Sequence, residues 1–156
     1  MNGDQPDRVL RLTKEAEGNY YQLVVLVGLS GTGKTLVLQE LARRLDIQVI
    51  NLNLAITSSM LELTERQRVL QLGRILDVVV EAQPGMICLL DNIEILFDPA
   101  MKHDPLRLLL ELSREKTIAV AWNGTISEGH LLYAAPGHPE YQRYPVKDFL
   151  VATVEA

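Results

Sequence analysis

Cysteine occurs once in 156 residues, so no disulfide framework can hold this chain together. That residue, Cys88, stands in the apolar run MICLL, a setting for a small buried hydrophobe rather than a reactive thiol or a metal ligand. Aromatic residues are scarce, with two Phe, one Trp and five Tyr, and the three histidines, His103, His130 and His138, are scattered without metal-ligand spacing. An excess of positive charge is also missing. Fifteen Lys and Arg stand against 20 Asp and Glu, a net charge of -5, which excludes a broad cationic face for generic nucleic-acid binding. The longest apolar runs, such as LVVLVGL, fall far short of the roughly 20 residues of a membrane-crossing helix. The start MNGDQPDRVLR lacks a basic segment followed by an apolar one. The expectation is a cytoplasmic protein that does not engage a membrane. No internal repeat or low-complexity tract is visible. What is present is apolar residues in quantity, 47% of the chain, enough for one buried core, so 1–156 reads as a single domain.

Along the chain, hydrophobic period and punctuation alternate between strand and helix. Residues 1–21 form an N-terminal helical segment, with Val9, Leu12 and Ala16 on one side of PDRVLRLTKEAE. QLVVLV has no polar alternation, as in a strand covered on both faces. TLVLQELARRL places Leu36, Leu38, Leu41, Ala42 and Leu45 at helical spacing, with Arg43 and Arg44 suiting the negative end of the helix dipole. IQVINLNL reads as a second strand. Thr64 followed by Gln67 is a capping box that opens a helix through about Ala82, striped by Val69, Leu72, Leu76 and Val79. MICLLD is a third strand ending in an acid, Asp104-Pro105 opens the helix LRLLLELSRE, and TIAVAW is a fourth strand stopped by Asn123-Gly124. TIS-EGH-LLYA then has the form of a hairpin, residues 134–145 are a loop rich in proline, glycine and aromatics, and DFLVATVE is a last strand. The pattern predicts an α/β fold: a three-layer α/β/α P-loop NTPase domain with a mainly parallel sheet of about five strands, no helical lid, and a C-terminal hairpin.

The segment GLSGTGKT lies between the first strand and the following helix and matches G-x-x-x-x-G-K-T. Glycines at 28, 31 and 33 let the backbone curl so that consecutive N–H groups face phosphate oxygens, and the helix adds its positive end. The binding stretch is therefore Gly28, Leu29, Ser30, Gly31, Thr32, Gly33, Lys34, Thr35 and Leu36. Lys34 suits the β and γ phosphates, and the Thr35 hydroxyl suits Mg²⁺. A second metal-holding acid is needed at a strand tip, which makes Asp91 the Walker B candidate beside Thr35. Because IQVINLN intervenes, a spacer strand between the first and third strands is expected, the order of AAA-like and RecA-like ATPases. N-K-x-D, which reads guanine, is absent, so ATP is favoured over GTP.

Such ATPases commonly carry a glutamate beside the Walker B aspartate, but Asn92 occupies that position and cannot serve as a carboxylate base. Glu94, three residues from Asp91, is the nearby substitute. Asn123 is either a polar sensor of the γ phosphate or an ordinary turn-forming Asn-Gly. Lys102, Arg107, Arg114 and Arg143 are either solvated side chains or charges supplied across a subunit contact, with Arg114 preferred because it precedes the fourth strand.

The blocks NLNLAITSSMLELTERQR, LLDNIEILFDPAMKHDPLRLLLELSREKTIAVAWNG and LLYAAPGHPEYQRY resemble BrxF, the family of small P-loop proteins of type 3 bacteriophage exclusion (BREX) systems. The resemblance runs from about Leu23 to Tyr144 and implies a role in phage defence. Its partners would be other BREX proteins, among them a larger ATPase, a DNA methyltransferase, a phosphatase-like protein and a helicase; DNA contact by this chain itself has no motif to support it. It also makes Asn92 part of the family pattern, and PGHPEYQRY either a partner surface through Tyr141, Arg143 and Tyr144 or a long C-terminal loop packed on the domain. Two functional readings stand: a slow Mg-ATPase, stimulated by self-assembly or by a partner, and a nucleotide-dependent scaffold or switch that binds without hydrolysing.

Overall fold

The computed structural model describes residues 5–154. Its elements are α1 (Gln5–Ala16), β1 (Leu23–Gly28), α2 (Lys34–Leu45), β2 (Val49–Asn51), α3 (Leu52–Met60), α4 (Glu65–Glu81), β3 (Ile87–Asp91), α5 (Pro105–Leu112), β4 (Thr117–Ser127), β5 (His130–Tyr133), β6 (Gln142–Pro145) and β7 (Leu150–Thr153). Two short 3-10 turns, Glu94–Phe97 and Pro99–Met101, lie between β3 and α5. The main sheet runs β2-β3-β4-β1-β7, and every neighbouring pair in it is parallel.

Side chains alternate across this sheet and divide the core into two layers. Leu23, Val25 and Val27 of β1 and Ile118, Val120 and Trp122 of β4 face α3, α4 and α5. Val24 and Leu26 with Ala119 and Ala121 face α1 and α2. All six residues of β1 are buried, which explains the unbroken apolar run in the sequence. The three-layer α/β/α fold is as expected, with five parallel strands and a C-terminal antiparallel extension.

A spacer strand separates β1 from β3, as expected; it is β4, and β2 lies beyond β3 at the sheet edge. Three local expectations are corrected. The second strand stops at Asn51, whose side chain accepts the Leu54 N–H and starts a helix; Leu52, Ile56 and Met60 then make its buried stripe. In α2 it is Val37 that is buried, while Leu36 is 70% exposed, because the register begins one residue into the phosphate loop. In α4 the buried stripe ends on Val80 rather than Val79. The capping box at Thr64 and Gln67 is present with both of its hydrogen bonds, and Asp104 caps α5 with Pro105 inside it.

The largest departure concerns Asn123-Gly124, which does not end β4. The strand runs through to Ser127 and turns at Glu128 and Gly129, both at positive φ (50° and 76°), the two-residue turn suited to a tight hairpin. Residues 142–145 of the supposed loop form β6, paired antiparallel with β5. Tyr144 faces inward: its ring lies 6.0 Å from Trp122 and its hydroxyl donates to Asp104 Oδ1 at 2.6 Å. Tyr144 thus packs half-buried on the domain, while Arg143 beside it is exposed.

Gly124 is the point on which this extension turns. A Cβ placed there would lie inside contact distance of the Leu132 carbonyl oxygen and 2.9 Å from Trp122 Nε1. The same indole N–H donates to Leu132 O at 3.0 Å. The backbone of β5 thus approaches β4 too closely for any side chain at 124. Gly124→Ala is expected to destabilise the protein by about 3 kcal/mol, at the upper end of the cost of overpacking; the urea midpoint checks this, and a change under about 1 kcal/mol would contradict the close approach.

Candidate functional site

The loop between β1 and α2 is shaped by its glycines. Gly31 and Gly33 adopt φ values of 83° and 100°, where side chains are strained, and a Cβ on either would face open space. Gly28 serves differently: a Cβ there would lie 2.5 Å from Thr32 Oγ1 and 2.6 Å from the Val154 carbonyl oxygen. The end of the last strand therefore presses on the loop, a contact that no local sequence signal announced. Thr32 Oγ1 closes the loop by donating to Leu29 O at 2.8 Å.

Helix α2 starts at Gly33 without a side-chain cap, whereas α3, α4 and α5 are capped by Asn51, Thr64 and Asp104. Its first-turn N–H groups have no intrahelical acceptors, which with the helix dipole makes an anion site. Lys34 is buried, and its Nζ donates to Gly28 O and Leu29 O, both at 2.8 Å. An ammonium group has three donors: these two bonds fix the charge, and the third contact, to Thr32 Oγ1 at 3.5 Å, is the long one that a phosphate oxygen can replace. Burial lowers the lysine pKa, while Asp91 and Glu94 oppose that shift.

Thr35 Oγ1 donates to Asp91 Oδ2 at 2.7 Å. Two oxygens in neighbouring positions of an octahedral Mg²⁺ shell, each at about 2.1 Å, stand about 3 Å apart. Hydroxyl and carboxylate are thus already spaced to share one such ion. The other carboxylate oxygen, Asp91 Oδ1, accepts the Asn92 N–H at 2.9 Å. Asn92 has a left-handed backbone, φ 55°, a conformation asparagine tolerates better than most residues, and its carbonyl accepts the Asn53 N–H at 3.0 Å. What looked in the sequence only like a missing glutamate also has a structural job, orienting Asp91 and tying β3 to α3.

A cleft of about 370 Å³ joins these parts, lined by Ser30, Gly31 and residues 33–36 together with Asp91, Asn92, Glu94 and Asn123. Asn123 is the last β4 residue in parallel register with β1, opposite Gly28, so it reaches the cleft from a continuing strand and not from a turn. Glu94, half-buried, has its pKa raised first by burial and then by Asp91, with Lys34 and local backbone N–H groups opposing. Tyr133, which the sequence placed only within a hairpin, has its hydroxyl pushed up to about 12 by burial and by nearby Glu94 and Glu140.

The candidate arginines lie elsewhere. Arg114 precedes the opposite end of β4 from Asn123, about 20 Å away along the strand, with its guanidinium 4.8 Å from the centre of the Tyr20 ring. Arg107 pairs with Glu111, Arg143 Nη2 lies 3.3 Å from His130 Nδ1, and Lys102 ends a 3-10 turn. Among the described residues lining the cleft, Lys34 is the one cation.

The family model of the ATPase family associated with various cellular activities (AAA) matches residues 24–124, the span from β1 through the close approach at Gly124. Among solved structures, PCH-2 of C. elegans aligns at 20% identity and a TM-score of 0.51, over 96% of this chain and 41% of its own. A DNA replication initiation factor aligns at 19% identity and a TM-score of 0.49, over 97% of this chain and 46% of its own. The chain thus spans less than half the length of either structure. No curated protein matches it. Among the described residues no helix is long and apolar enough to cross a membrane.

The acid pair in the cleft sets a pH dependence. Glu94 has a raised pKa in the folded protein, so its contribution to stability is complete below the ordinary carboxylate range and is lost as pH rises through the raised value. Glu94→Gln cannot ionise. In metal-free buffer the variant is expected to be more stable than the wild type near pH 7 and equal to it below about pH 4, read from urea midpoints; a variant less stable at pH 7 would show that the carboxylate is held by a favourable partner.

Proposed function

From the premise that the chain belongs to the ATPase family associated with various cellular activities, we propose that it binds Mg-ATP in this cleft and acts as a slow, assembly-stimulated Mg-ATPase of a bacterial BREX phage-defence system. The observation that carries the enzymatic part is the 2.7 Å contact between Thr35 Oγ1 and Asp91 Oδ2 beside the buried Lys34. The defence setting is supported by the BrxF-like blocks that run from about Leu23 to Tyr144.

Thr35 and Asp91 would hold Mg²⁺, and the ion would offset the negative charge of the phosphates. The uncapped start of α2 and the N–H groups after Gly31 hold the phosphates, and Lys34 adds a fixed positive charge. Glu94 orients or deprotonates a water in this reading, which its position in the cleft and its raised pKa, nearer the range of a general base, support. Asn123 offers an amide to the same water or to the γ phosphate from the point where β4 leaves its pairing with β1. A single lining cation is a small complement for a triphosphate, so stimulation by a charge from a neighbouring molecule is part of this reading. Arg114, three residues before the far end of β4, can serve only across such a contact.

Asn92 in place of a carboxylate favours a second reading, a switch or scaffold for other defence proteins that binds nucleotide and does not hydrolyse it. Turnover and nucleotide binding of the wild type, Lys34→Ala and Asp91→Ala, measured across a protein concentration series, separate the two. Loss of a charge-assisted bond, worth about 1.5–3 kcal/mol, predicts binding about 10–100-fold weaker for Lys34→Ala. Asp91→Ala is expected to lose Mg²⁺-dependent turnover. Turnover per molecule that rises with concentration in the wild type supports the assembled enzyme; tight binding with no turnover at any concentration supports the switch. Co-purification with the other BREX proteins that persists undiminished in Lys34→Ala would overturn nucleotide control of partner binding.

A further inference from the structure

Helix α4 buries one side through Leu72, Leu76 and Val80, and a neighbouring side, about 110° round the helix, carries a pattern that the fold leaves unused. Leu70 is 72% exposed. Arg66 lies in the first turn of the helix, Arg74 just past its middle and Asp77 and Glu81 towards its end, all four exposed and none of them in an ion pair among the described residues. Midway along the 17 residues stands Gly73, the residue type least suited to a helix interior after proline. No neighbour demands it, because a Cβ there would meet nothing within 4 Å. At 100° per residue, Arg66, Leu70, Gly73, Arg74, Asp77 and Glu81 fall within an arc of about 100°. They form one continuous strip.

The acidic half of that strip lacks a counter-charge. Burial, then Glu81, Glu111 and Glu115, raise the Asp77 pKa. The nearby cations are engaged otherwise: Lys116 Nζ donates to Val80 O and Gln83 O at 3.1 and 2.8 Å, and Arg114 lies over Tyr20.

We propose that two copies of this chain pair through α4, antiparallel, about a two-fold axis that passes between Gly73 and Arg74. In that register facing positions sum to 147. Arg66 of one copy meets Glu81 of the other at both ends, and each Arg74 stem crosses the gap at Gly73 with its guanidinium one turn from Asp77. Leu70 faces Asp77 of the other copy in the same register, so the complementarity is one of charge, from Arg66 with Glu81 and from Arg74 beside Asp77, and it repeats about the axis as an isologous contact requires. A helix about 25 Å long buries less than the roughly 800 Å² per partner of a standard interface, so the dimer is weak, with a dissociation constant of about 10–100 µM. No α4 residue lines the nucleotide cleft. The pairing leaves both clefts open and is independent of the ATPase reading.

Sedimentation velocity of the nucleotide-free protein from about 5 to 500 µM tests it, a range chosen to bracket a weak interface. The wild type is expected to dimerise, Arg66→Glu and Glu81→Arg each to weaken association at least about tenfold, and the double variant to restore it. Gly73→Ala distinguishes an interface from a purely structural role: it should raise the melting temperature of the dilute protein while weakening the dimer. With Cys88 buried, Arg74→Cys should form a disulfide-linked dimer under mild oxidation. A monomer throughout the range overturns the proposal, as does a dimer indifferent to the single reversals or not restored by the double.

Discussion

The hydrogen bond from Thr35 to Asp91 joins two elements that the sheet holds apart. β4 lies between β1 and β3, so two strand spacings, about 9.6 Å, separate the end of the phosphate loop's strand from the acid. Helix α2 must lie low over β4 to carry Thr35 across. The residues of β4 on that face are Ala119 and Ala121, while Ile118, Val120 and Trp122 fill the other face. Small side chains under α2 let it approach, and bulky ones behind the sheet anchor the strand. The site thus depends on an asymmetry of volume between the two sides of a single strand.

A second set of contacts connects the cleft to the antiparallel extension. Glu94 begins the 3-10 turn that Phe97 ends. The Phe97 ring stacks on Tyr133 at 3.5 Å between centroids and meets Trp122 edge-on at 5.1 Å. Tyr144 then links the same cluster to Asp104, the cap of α5. Aromatic pairs of this kind contribute about 0.5–1.5 kcal/mol each beyond area burial. The acid in the cleft, the cap of a helix and the hairpin therefore share one packed group.

What the sequence made legible was local. The phosphate loop, Asp91 at a strand tip, the Thr64 capping box and Asp104-Pro105 each carry their chemistry within a few residues, and the structure has all of them. What stayed hidden was decided at a distance. Asn123-Gly124 has the composition of a turn, but the indole of Trp122 and the carbonyl of Leu132 make Gly124 a point of close approach within a strand. Leu52, Leu54 and Ile56 alternate as in a strand, yet Leu52, Ile56 and Met60 also repeat as in a helix, and the Asn51 cap decides for the helix. Tyr144 reads as a surface aromatic until Asp104, 40 residues earlier, draws it inward. Asn92 is an intermediate case: its chemistry as a non-carboxylate was plain, and its left-handed backbone was not.

Trp122 is the one tryptophan in the chain, wholly buried, and adjacent to Asn123 at the cleft. Its indole is hydrogen-bonded to the hairpin and bordered by Phe97, Tyr133 and Tyr144. The protein therefore contains its own optical gauge. Emission from a dry, ring-enclosed indole shifts in wavelength when its hydrogen bond or its packing changes, so native fluorescence reports rearrangement around β4 without any introduced label.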